Sequence, residues 1–274
     1  MATGMWTSVS GAAAQAQAVD VVANNLANAD TNGFKKDLPA FKEFLSTAER
    51  ENEIPQINPG PIQDKHLNPI LDKDQSHVVV RGTFTNFRQG PMKVTNSPYD
   101  LALQGPGLLE VSTPQGIRYT RHGALKVAQD GRLVTNEGHS VLLASPGGQA
   151  APDADVAARF INLQDRGPIS ITPQGEIYAD GNLVGKMSIV EFATTDTVRK
   201  VGLQYFENKD PQGNPPFEAK NTVVHQAMLE GSNVNPIEEM TNLIKANRLF
   251  EHDLKVMKTY GEIMGREAND IGKL

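Results

Sequence analysis

Residues 236–271 read PIEEMTNLIKANRLFEHDLKVMKTYGEIMGREANDI, and this stretch decides the fold. Pro236 suits the first turn of a helix, with Asn233 or Asn235 as the cap before it and Glu238 and Glu239 complementing the positive end of the helix dipole. From there Met240, Leu243, Asn247, Phe250, Leu254, Met257, Gly261, Met264, Ala268 and Ile271 recur at spacings of three and four. That is the seam of a coiled-coil helix about 50 Å long. Lys, Arg and Glu occupy its outer face. Asn247 and Gly261 are the weak seam positions, and a polar Asn in a seam sets helix register.

The opposite end of the chain carries a second seam. Met5, Val9, Ala12, Ala16, Val19, Ala23 and Leu26 fall at spacings of four and three, widened by Trp6, Ala13 and Val22. Asp20 is the sole ionisable side chain between Met1 and Ala29, and the first cation is Lys35. A helix so poor in charge has little solvent-facing surface in its working state. Taken alone the segment reads equally as a buried helix of a monomeric core; the matching C-terminal seam favours a pair of terminal helices. Gln15, Gln17, Asn24, Asn25 and Asn28 interrupt its alanines, so it reads neither as a cleaved signal peptide nor as a membrane span.

Between the ends the pattern changes twice. Residues 37–77 have no sustained period and carry Pro55, Pro59, Pro61 and Pro69; they read as an extended linker, with a short helical piece around Phe41, Phe44 and Leu45. From Val78 onward short apolar runs of period two alternate with glycine turns, as in Leu101-Ala102-Leu103, Leu108-Leu109-Glu110-Val111 and Ile189-Val190-Glu191-Phe192. Strands at that spacing without helical period predict an all-β domain. The expected fold class is therefore α+β, with discontinuous terminal coiled-coil helices and a central all-β domain. The expected divisions are 1–36 (helix and the segment that ends it), 37–77 (linker), 78–221 (β-domain) and 222–274 (C-terminal helix pairing with the first).

The chain has 274 residues, 26 Lys and Arg against 32 Asp and Glu, and a formal net charge of −6. That length corresponds to one or two domains. A negative sum without a basic block argues against nucleic acid as the partner. Cysteine is absent, which excludes disulfides, thiolate metal sites and cysteine nucleophiles. Six histidines (His66, His77, His122, His139, His225 and His252) form no pair at metal-ligand spacing. Gly105-Pro106-Gly107 sits between two apolar runs with no helix start after it, so it reads as a strand-to-strand turn rather than a phosphate cradle. Ser140 and Ser170 lack a nucleophile-elbow context, and Asp153 and Asp155 read as solvated loop charges. No enzyme and no cofactor is expected.

At the end of the first helix the chain reads Ala23-Asn24-Asn25-Leu26-Ala27-Asn28-Ala29-Asp30-Thr31-Asn32-Gly33-Phe34-Lys35. Asn28, Asp30 and Asn32 can end a helix, Gly33 can take positive φ and Phe34 can anchor the exit. This stretch resembles the N-terminal signature of bacterial flagellar basal-body rod and hook proteins, with Asn24, Asn25, Leu26, Asn28, Thr31, Gly33 and Phe34 as the matching residues. Asp100 to Val111, Tyr119-Thr120-Arg121-His122-Gly123 through Val134, and Leu229-Glu230-Gly231-Ser232-Asn233-Val234-Asn235 resemble three further family stretches in the same order. Leu108 and Leu109 stand where the family often has aromatic residues. Within the family the C-terminal run resembles the proximal rod protein more than the distal one, which tends to show a Gln-Arg-Ala-Tyr-Glu-like sequence where this chain has Ala246 to Glu251.

The resemblance implies a structural subunit exported by the flagellar type III machinery without signal cleavage. It would assemble helically, with copies of itself and other rod and hook proteins, into the periplasmic rod of the basal body. Its assembly interface would be the two seams, through Met5, Val9, Ala12, Ala16, Val19, Leu26, Met240, Leu243, Phe250, Leu254, Met257, Met264 and Ile271, with Ser232, Asn233 and Val234 leading into the second helix. A secreted carbohydrate-binding or adhesive β-module on a helical stalk is the competing expectation. It would need an aromatic platform among Tyr99, Tyr119, Phe160, Tyr178, Phe192, Tyr205 and Phe206. A hydrolase with carboxylates brought together from afar is a third.

Overall fold

The computed structural model describes residues 2–45, 76–145, 153–163 and 167–271. It is α+β: helix α1 spans Ala2–Ala27, helix α2 spans Pro236–Ile271, and strands fill the described chain between them. The chain divides into two compact units, one of residues 1–26, 37–83 and 236–274, the other of residues 27–36 and 84–235.

In the first unit α1 and α2 lie side by side and antiparallel. Asn25 Nδ2 is 3.4 Å from Glu239 Oε2, and a β-carbon built on Gly11 would lie 3.4 Å from Asp253 Oδ2. The two contacts are separated by two heptads on each helix and run in opposite directions, which puts Ala18 opposite Ala246, midway between them. Ala12, Ala14, Ala18, Val22 and Asn25 are buried on α1, and Glu239 and Ala246 on α2. The meeting line thus runs along Gly11, Ala18 and Asn25, displaced from the predicted seam because glycine and alanine admit close approach. Asp37–Leu45 is a strand rather than the helical piece expected around Phe41, and it pairs with strand Ser76–Thr85. The rest of the linker, 46–75, lies outside the described residues.

The second unit is built on antiparallel strands. Leu108–Thr113 is its central strand, flanked by Gly116–Thr120 on one side and by Ser140–Val141 and Ile189–Glu191 on the other. Leu125–Val127 and Leu133–Thr135 extend the sheet beyond Ser140–Val141; Tyr205–Asn208 and Val198–Val201 extend it beyond Gly116–Thr120. Leu109, Val111, Val141, Ile161 and Ile177 form one side of the core. Leu108, Tyr119, Val190, Val198 and Phe206 form the other. Leu108 and Leu109 are both buried, so leucine fills both faces of this strand where the family often has aromatics. Arg159, closing a 3-10 turn over Asp153–Arg159, donates to buried Glu110, which also accepts from Ser188 Oγ at 2.6 Å. Gly105 and Gly107 form a turn between Leu101–Gln104 and Leu108–Thr113, as their flanks predicted, with Gly107 N donating to Thr222 Oγ1 at 2.8 Å.

Candidate functional site

The stretch that ends α1 is held by its own turn and by chain that arrives much later. The Asn28 carbonyl accepts from Thr31 N at 3.2 Å, and its side-chain oxygen accepts from Thr31 Oγ1 at 3.1 Å. Gly33 then takes φ +69°, and a β-carbon there would sit 2.7 Å from His122 N. Only glycine satisfies both conditions. Gly33 N donates to the Glu230 carbonyl at 2.7 Å. Phe34 is fully buried, with the Lys200 ammonium 3.9 Å from its ring centroid. Asn233 accepts from Lys36 N at 2.8 Å and donates to the Asn86 and Arg88 carbonyls at 2.8 and 2.9 Å. Ser232 Oγ accepts from Val234 N at 3.2 Å, and Val234 is buried. One carboxamide therefore joins three separate passes of the chain, and the stretches carrying the sequence resemblance meet at one place in the second unit.

At the centre of that place lies a buried ion cluster. Lys35 Nζ is 2.6 Å from Glu230 Oε1, and Arg121 Nη1 is 3.3 Å from Glu230 Oε2, with Lys35 and Glu230 side chains wholly without solvent exposure. Lys35 also donates to the Arg88 carbonyl, Arg121 to the Leu103 and Gly105 carbonyls, and Gly90 N to Glu230 Oε1. Burial pushes the Lys35 ammonium and the Arg121 guanidinium below their usual ranges, while Glu230 pulls both back up. Sequence reading quoted all three residues within resembling stretches and assigned them no role. Their partnership spans 195 and 109 positions, so no local spacing signals it.

The seam residues divide in the structure. On α2, Leu243, Phe250 and Met257 are half-buried, whereas Met240, Leu254 and Met264 are exposed. On α1, Ala12 is buried and Val9, Ala16, Val19 and Leu26 are half-buried. The side chains of Met5 and Ile271 lie outside the described residues. Asn247, the seam residue expected to set register, is exposed; buried against Glu239 of α2, the polar residue that α1 brings between the helices is Asn25. Its oxygen accepts from Asp37 N at 2.9 Å and its nitrogen donates to the Asp37 carbonyl at 2.8 Å as well as to Glu239. Asn24 is exposed.

Among the described residues no group of three or more His, Asp or Glu side chains could hold a metal ion. His122 is buried, and desolvation holds its imidazole pKa below the usual value against the pull of Glu137 and Asp100. His139 stacks edge-on against Tyr205, and His225 bonds Gln104. Of the aromatics a sugar platform would need, Tyr119, Tyr205 and Phe206 are buried, Tyr119 meets Phe192 edge-to-face at 4.9 Å, and Tyr99, Phe160, Tyr178 and Phe192 are half-buried. No helix among the described residues is long and apolar enough to cross a membrane.

Comparison with known families matches this chain in three places. Residues 5–35 match the flagella basal body rod protein family, 102–179 the flagellar hook protein FlgE/F/G D1 domain, and 225–271 the flagellar basal body rod FlgEFG protein C-terminal family. The flagellar basal-body rod protein FlgF of Caulobacter vibrioides is 32% identical over 93% of this chain and 92% of its own length. The rod protein FlgG of Agrobacterium fabrum is 30% identical over 91% and 92%, and that of Buchnera aphidicola from Schizaphis graminum 28% over 96% and 98%. Matches at both ends and in the β-domain, with relatives similar along nearly their whole length, make this chain a member of the flagellar basal-body rod protein family.

Proposed function

We propose that this structural subunit of the basal-body rod polymerises through the faces of α1 and α2 that their mutual contact leaves uncovered. The observation that carries the reading is the solvent exposure of large apolar side chains on both flanks of α2. Ile237 is 75% exposed, Ile244 54% and Leu249 53%, and Met240, Leu254 and Ile263 are exposed with them. Met240 and Leu254 stand two heptads apart on one flank, Leu249 and Ile263 two heptads apart on the other. A helix with one partner needs one apolar stripe; α2 has three, which suits burial among several helices. Its family membership supports association with other rod and hook proteins, and the structural roles in its relatives' names support a non-enzymatic chain. Export by the flagellar type III machinery and a place in the proximal rod complete the proposal. The Ala246 to Glu251 run supports the proximal position, and relatives named FlgG make the distal position the alternative.

Deleting the gene and imaging isolated basal bodies tests the reading. Rings without a completed rod, restored by the full chain but not by one lacking residues 236–274, are expected. The level at which the rod stops separates proximal from distal. Intact rods and hooks in the deletion strain, with no paralogue standing in, overturn it.

A further inference from the structure

We propose that Asn25 sets the register of the terminal helix pair, and thereby which apolar residues of α2 remain outside it. Asn25 is 1% exposed and Glu239 is fully buried. On α1, where Ala12, Ala14, Ala18 and Val22 are buried beside it, Asn25 is the residue with hydrogen-bond direction. Small apolar contacts such as Ala18 against Ala246 carry no hydrogen-bond direction, and a slide of one turn, about 5.4 Å, brings Ala14, a residue of the same size, to Ala246. The Asn25–Glu239 contact, the one of three that crosses to α2, does not survive such a slide. The carboxamide oxygen takes the Asp37 amide proton, and the nitrogen serves the Asp37 carbonyl and the Glu239 carboxylate, so that α1, α2 and the first strand are tied at one residue. Sliding α2 by a turn strips Glu239 of this donor inside the pair and leaves the Asn25 nitrogen one acceptor short. A buried polar residue that selects one alignment among near-equals is the best-attested role of such groups. Asp in place of Asn would set a carboxylate against the Glu239 carboxylate and the Asp37 carbonyl. Leu would fill the space and leave the alignment free.

The absence of cysteine makes the test clean. Ala18→Cys with Ala246→Cys reports the native register, since a disulfide needs α-carbons within about 7 Å. Ala14→Cys with Ala246→Cys reports a register slipped by one turn. In the isolated full-length chain the first pair is expected to cross-link and the second poorly. Asn25→Leu is expected to lower the ratio of native to slipped cross-linking about fivefold or more. Asn25→Asp is expected to lose the native cross-link, and Asn25→Asp with Glu239→Gln to regain part of it, because the glutamine amide donates where two carboxylates had met while the Asp37 carbonyl stays without its donor. An unchanged ratio in Asn25→Leu overturns the proposal. So does a double variant no better than Asn25→Asp, which also covers the case in which the helices come apart. The consequence for assembly rests on the polymerisation reading. The cross-linking does not, so a strain with intact rods would defeat that reading and leave the register role standing.

Discussion

Gly33 and Glu230 show how single residues hold distant passes of the chain together inside the β-rich unit. Gly33→Ala forces a side chain into positive φ and against the Arg121–His122 backbone. Together these are expected to cost at least about 2 kcal/mol, measured by chemical denaturation of the β-rich unit. Glu230→Gln leaves Lys35 and Arg121 buried without their counter-ion, at a cost of about 3–5 kcal/mol in the same measurement. Adding Lys35→Met to Glu230→Gln is expected to recover part of that loss, because one uncompensated charge is gone. His122 gives a pH signature. Its pKa is held below 6.5 in the folded state by desolvation, so the unfolded chain binds the proton first. Stability is fully present above pH 6.5 and falls as the pH drops through the lower folded value. Melting temperature is expected to decline between pH 7 and pH 5, and His122→Gln to flatten that decline. Legibility at this scale was uneven. The positive φ of Gly33 and the burial of Phe34 follow from local chemistry, a helix ending beside a polar turn. The ion cluster does not, since its members stand 195 and 109 positions apart along the chain.

At the scale of elements, the two helices carry more apolar surface than they cover. Leu254→Asp and Met257→Asp separate the two uses of α2. Leu254 is exposed beside the pair, so its aspartate is expected to leave helix content unchanged by circular dichroism while blocking incorporation into rods. Met257 is half-buried on the pair's own side, so its aspartate is expected to lower helix content as well. Incorporation of both variants at the level of the unaltered chain would sink the assembly reading. Helix existence and length were legible because a period of 3.6 over four heptads leaves few alternatives. The contact line was not. Seven-residue spacing holds for the line through Gly11, Ala18 and Asn25 as well as for the predicted seam, and side-chain size at the point of approach chose between them. The linker shows the reverse failure: Asp37–Leu45 has no strand alternation of its own and becomes a strand because Ser76–Thr85 pairs with it and Asn25 grips its first residue.

For the whole molecule, the division into two units predicts unfolding in two steps. Trp6, the single tryptophan, belongs to the helical unit, whereas Tyr99, Tyr119, Tyr178 and Tyr205 belong to the β-rich unit. Tryptophan fluorescence is expected to change at lower denaturant than the far-ultraviolet strand signal, because the exposed flanks of α2 await partners that the isolated chain lacks. A chain lacking residues 236–274 is expected to keep the second transition within about 1 kcal/mol, since the β-rich unit ends at Asn235. Loss of both transitions together would show that the units fold as one.

By itself the sequence determined the class of fold, the two terminal helices, the strand-and-glycine rhythm between them and the family, because periodicity, turn chemistry and contiguous motifs are local properties of a chain. Tertiary structure alone decided the register of α1 on α2, the pairing of Asp37–Leu45, and the meeting of Lys35, Arg121 and Glu230. Each of these depends on which distant groups arrive at hydrogen-bonding distance, and a buried polar atom finds its partner through space, with nothing in its neighbours along the chain to announce it.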